Sequence, residues 1–159
     1  VMFMRKIKYK EGDFFAVSLD KSEENIKNFL PPYAFGRIIA ILPSKNQIVE
    51  FFRYFGEMEN NTDILLKSGR LFNPVSTAGG LYSGRWRIIK SDPNYNREDA
   101  RFSQIKLGKY SDDFPHLSQI WIGGKTYPAS KEDFKDVEPY IIYAPQQLEQ
   151  RLRDILNID

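Results

Sequence analysis

The sequence predicts an α+β domain, mainly antiparallel β: a curved sheet, SH3-like or a small barrel, with a C-terminal helix packed on it. Three observations lead there. Residues 14–19 and 33–41 read as paired strands apolar on both faces. Aromatic residues make up 14% of the chain, mostly Phe and Tyr, and aromatic and β-branched side chains fit a pleated surface. Near the C-terminus, Leu148, Leu152, Ile155 and Leu156 recur at helical spacing behind Pro145, which suits a first helical position.

In the first strand Phe14, Ala16 and Ser18 face one way and Phe15, Val17 and Leu19 the other, because strand side chains alternate. In the second, Tyr33, Phe35, Arg37 and Ile39 share a face opposite Ala34, Gly36, Ile38 and Ala40. A glycine in mid-strand, here Gly36, marks a bulge, a bend or a backbone passing close. The polar connection over residues 20–29 has room for a short helical turn before Pro31-Pro32 stops it. Residues 48–55 form a third apolar run, the antiparallel continuation of the second strand. Residues 64–66 and 70–75 read equally as strand or short helix.

Three glycines within residues 79–84 make a tight turn, and the alternation of Arg85 and Arg87 with Trp86 and Ile88 is that of a half-buried strand. Trp86 then faces away from both arginines and belongs to the core. Residues 92–96 are a turn cluster. Residues 101–105 and 118–122 are further short strands, the second ending at the hairpin signal Gly123-Gly124. Ser130-Lys131-Glu132-Asp133 resembles a capping box and opens a short helix closed by Pro139. Residues 141–143 are an extended link into the terminal helix.

At 159 residues, with 42% hydrophobic and 28% charged content, the chain reads as one ordinary globular domain with its core over about residues 7–156. The formal net charge of +2 argues neither for nucleic acid nor for a membrane surface. Charge is unevenly spread, however. Arg5, Lys6, Lys8 and Lys10 form one basic region and Arg85, Arg87, Lys90, Arg97 and Arg101 a second, while acids gather at residues 20–24 and 112–138. With no cysteine there is no disulfide, thiolate nucleophile or cysteine-ligated zinc. No apolar run is long enough for a signal-peptide core or a membrane span, so a cytoplasmic location is expected.

Motifs for catalysis are weak. The glycine loop is followed by Arg85-Trp86 rather than the Lys-Ser/Thr of a phosphate loop. His116 is the only histidine and follows Pro115 in a polar loop, the setting of a surface residue. Asp112-Asp113 lacks the spaced oxygens of a calcium loop. No metal or cofactor is expected. Asp13 reads as a turn or strand-start residue whose carboxylate accepts backbone hydrogen bonds.

Three segments together carry a family resemblance: residues 9–19 with Gly12-Asp13-Phe14, residues 33–39 with Phe35-Gly36-Arg37, and residues 84–89 with Gly84-Arg85-Trp86. The chain resembles the immunity protein 26 family of bacterial polymorphic toxin systems over roughly residues 7–156. The connection over residues 20–32 is longer than the short glycine-rich turn the resemblance implies. Membership implies a non-catalytic protein that neutralises a cognate toxin by direct binding. The contact positions expected are the loop residues Tyr33, Tyr82, Tyr95, Tyr110 and Phe114 with Asp112 and Asp113.

The rival reading is an SH3-like-barrel RNA-binding protein or endoribonuclease of a toxin–antitoxin pair. There Arg37 and Arg85 would clamp phosphate, with Asp13 or Glu50 as base.

Overall fold

The computed structural model describes residues 7–22 and 28–158. Arg5 and Lys6 of the first basic region lie outside these residues, as do residues 23–27 of the connection read as a short helical turn. The predicted mainly antiparallel α+β architecture is present, but as two sheets. The larger contains β1 (Phe14–Ser18), β2 (Tyr33–Ile41), β3 (Gln47–Gly56), β4 (Val75–Thr77) and β5 (Trp86–Lys90). The short β10 (Ile142–Tyr143) joins it, and the order is β10-β4-β3-β2-β1-β5. The smaller has the order β8-β7-β6-β9, from β6 (Lys106–Lys109), β7 (Gln119–Ile122), β8 (Lys125–Pro128) and β9 (Glu138–Pro139). Neither sheet closes, which corrects the barrel expectation. The edges β5 and β10 lie at opposite ends of the larger sheet, and a helix rather than strand pairing covers its apolar face.

That helix is α2 (Pro145–Ile155); another, α1 (Thr62–Ser68), follows β3. The alternation predicted for β1 is realised. Phe15, Val17 and Leu19 join Ala34, Ile38, Val49, Phe51 and Trp86 beneath Leu148 and Leu152 of α2. Phe14 and Ala16 face the other way, with Phe35, Phe52 and Leu65 of α1. Ile155 stands 43% exposed, so only part of the predicted stripe is buried. In β2 the register slips between Ile38 and Ala40, and both Ile39 and Ala40 then pack with Ile48, Leu107 and Trp121 against the smaller sheet. A bulge re-aims side chains in this way.

Gly36 combines two of the three features expected of it, a bulge and a backbone passing close. The β2–β3 register shifts beside it, and a Cβ there would lie 2.6 Å from the Glu50 carbonyl oxygen and 2.6 Å from Phe15 Cζ.

Three local readings change. Residues 101–105 are not a strand: 3₁₀ turns at Arg97–Ala100 and Phe102–Gln104 occupy this stretch. The Glu98 carboxylate accepts the Ser103 N–H at 2.8 Å and its hydroxyl at 2.9 Å, which curls the chain and lets Phe102 meet Trp121 edge-on at 5.6 Å. The Ser130–Asp133 capping box is present, with Ser130 N–H donating to Asp133 at 2.8 Å. It opens only one 3₁₀ turn, Lys131–Phe134, because Glu138–Pro139 pairs in parallel with β6. Of the two ambiguous stretches, the first is α1. The second crosses an isolated bridge between Arg70 and Phe52 and ends in β4.

Candidate functional site

Two buried polar centres organise the larger sheet. Arg37 and Glu50 are direct partners across β2 and β3. Arg37 Nε and Nη2 each lie 2.9 Å from Glu50 Oε2. Arg70, placed by its bridge to Phe52, brings its Nε to 2.9 Å from Glu50 Oε1 and donates through Nη2 to the Ala100 carbonyl. The Arg37 guanidinium also sits over Phe14 at 5.5 Å and over Tyr95 at 5.4 Å. One buried carboxylate thus answers two guanidiniums in the seam between two apolar clusters.

The second centre is Glu149 on α2, buried and bidentate with Arg85 at 2.6 and 2.7 Å. It also accepts Trp86 Nε1–H at 3.0 Å. Donating to the Glu149 carboxylate holds the Arg85 guanidinium above its usual range. Arg85 and Trp86 therefore meet the same group, contrary to the strict alternation predicted, because the strand begins only at Trp86 after Gly84 at φ 79°. Trp86 itself is core, stacked on Phe15 at 5.4 Å.

Arg97 is bidentate with Glu11, and its hydrogen bonds hold the Glu11 carboxyl below the usual range. The second basic region is thus partly neutralised from within.

The two arginines of the RNA-cleaving reading do not converge. Arg37 is tied to Glu50 on one side of the sheet, while Arg85 is tied to Glu149 of the helix covering the other. Asp13 Oδ2 accepts the Lys10 N–H at 3.0 Å, as a strand-start carboxylate should.

The expected contact residues fall into three groups. Tyr33 opens β2 rather than lying in a loop. It is buried, and its hydroxyl donates to the Phe29 carbonyl at 2.5 Å. Tyr95 is half-buried, donates to the Ile39 carbonyl at 2.7 Å, and burial pushes its phenol up. Tyr82 is exposed at the glycine turn. Tyr110, Asp112, Asp113 and Phe114 are together and exposed in the connection from β6 to β7.

That connection is built, not loose. Ser111 N–H donates to Ser118 Oγ at 2.9 Å, Phe114 N–H to Ser111 Oγ at 3.1 Å, and Pro115–Leu117 is a 3₁₀ turn. Sequence reading missed two apolar neighbours, Leu117 at 62% and Tyr127 at 45% exposure. Tyr127 stands on β8, whose residues are all exposed. The hairpin signalled by Gly123-Gly124 makes β8 an edge strand.

The family model for immunity protein 26 matches residues 10–112, more than half of the chain. The chain belongs to the immunity protein 26 family. No curated protein and no solved structure matches it. An immunity protein 26 role implies a toxin partner, and the family is in general non-catalytic. The match takes in β1 to β6 and both partners of the Arg37–Glu50 pair, and it stops within the β6–β7 connection, before Phe114. Among the described residues no helix is long and apolar enough to cross a membrane.

Proposed function

We propose that this immunity protein neutralises its cognate toxin by direct, non-catalytic binding, through the face formed by the β6–β7 connection and the edge strand β8. The observation that carries the reading is the group of four exposed large apolar side chains there: Tyr110, Phe114, Leu117 and Tyr127. Large apolar groups left in water favour a protein partner. Interfaces place aromatic anchors at their centre and polar groups around them. Asp112 and Asp113 supply the rim and favour a toxin surface carrying Lys or Arg. The face lies largely beyond the family match, which suits a surface that changes with the toxin it meets. Tyr82 belongs to the same proposal as a peripheral contact; Tyr33 and Tyr95 act through packing.

The test is coexpression with a toxin domain found in a neighbouring reading frame or captured by pull-down from the native cell, followed by a titration of the purified pair. Wild type should protect the cell and bind tightly. The double variant F114A/L117A should bind at least tenfold more weakly, since losing a hot-spot anchor costs roughly 2 kcal/mol or more, with its melting temperature unchanged. Equal affinity would move the interface elsewhere. Failure to protect, or RNA cleavage by the purified chain, would sink the function.

A further inference from the structure

The Arg37–Glu50–Arg70 seam opens into a cleft between the two sheets. Its larger part, about 280 Å³, is lined by Arg70, Asn73, Arg101, Gln104, Lys106 and Asp136 among others. A second cavity of about 190 Å³ shares Arg70 and Arg101 and reaches Arg37, Glu50 and Asp99. Four cations therefore face three carboxylates, and the larger part is the more lopsided, with Arg70, Arg101 and Lys106 against Asp136 alone. Arg101 and Lys106 make no side-chain ion pair or hydrogen bond with any described residue. Asp99 is partly occupied, accepting the Asn96 N–H at 3.2 Å.

Arg101 also holds φ at 56° between two 3₁₀ turns. A side chain bulkier than glycine or asparagine costs on the order of 1 kcal/mol there, and such strain gathers at binding sites.

We propose that this cleft binds the phosphate group of a small molecule. Guanidinium forks match phosphate oxygens in pairs, and the surplus of two positive charges in the larger part suits a dianion better than a single carboxylate. Arg70 is pre-positioned by Glu50 and the Ala100 carbonyl, so little side-chain freedom is lost on binding. The amides of Asn73 and Gln104 add donors at the rim. The larger volume suits a phosphate ester of modest size. The site uses none of the side chains assigned to the toxin.

Calorimetric titration of the whole chain at low salt, with inorganic phosphate, pyrophosphate and succinate in separate runs, tests this. Saturable binding of phosphate or pyrophosphate is expected, at least tenfold weaker in R101Q/K106Q and unchanged in K125Q, with equal melting temperatures for all three proteins. Four results would overturn it: no saturable binding of either phosphate, undiminished binding by R101Q/K106Q, succinate binding as tightly, or binding of an RNA oligonucleotide without binding of either phosphate.

Discussion

Replacing Glu50 by Gln keeps the shape of the seam and removes its only buried anion. Arg37 and Arg70, with side chains 7% and 21% exposed, would then share a neutral amide. Breaking a buried ion pair by neutralising one partner costs about 3–5 kcal/mol, because a charge is left uncompensated. A domain stable by about 5–15 kcal/mol would lose a large fraction of its stability. At about 2–4 °C per kcal/mol for this chain length, the melting temperature should fall by roughly 6–20 °C. Arg70→Met is the control. It leaves both Arg37 contacts on Glu50 Oε2 at 2.9 Å and removes one charge-assisted partner, for about 1.5–3 kcal/mol. Urea unfolding followed by fluorescence of Trp86 and Trp121 reads both variants. Equal losses for E50Q and R70M, or a loss under about 1 kcal/mol for E50Q, would refute Glu50 as the hub of the seam.

Two smaller perturbations test the frame. Gly36→Ala should destabilise by about 1–3 kcal/mol, because the new Cβ meets the Glu50 carbonyl oxygen, a backbone atom that cannot step aside; a neutral or stabilising result in urea would show that the strands separate easily. The lowered Glu11 carboxyl, held chiefly by its hydrogen bonds to Arg97, contributes stability above the ordinary carboxylate range that is lost as pH falls through its folded-state value. Glu11→Gln should therefore sit below wild type at neutral pH, by less than about 1 kcal/mol because the pair is solvated. The gap should close in thermal melts as pH drops below 4.5; a gap of constant size would mean the ion pair does not act on stability.

What the sequence by itself determined was local. Period-two alternation placed Phe14 and Phe15 on opposite faces, and both faces are covered. The Pro145 start and the spacing of Leu148 and Leu152 located α2, and Gly123-Gly124 located a hairpin. Each of these is written in a few neighbouring residues, where backbone geometry alone carries the information. The three short motifs likewise sufficed to identify the family.

The rest depended on residues far apart in the chain. Glu149 gathers Arg85 and Trp86 across more than sixty positions, and Arg70 reaches Glu50 across twenty, so no local pattern announces either centre. Whether the sheet closes rests on which strands end as edges. Whether residues 101–105 extend or curl rests on one carboxylate, Glu98, reaching forward to Ser103. Side-chain exposure is likewise a property of packing: Tyr33 and Tyr110 are the same residue type in aromatic-rich stretches, yet one is sealed beneath Phe29 and the other stands in water. Burial depends on what long-range pairing brings overhead, and only the folded chain decides that.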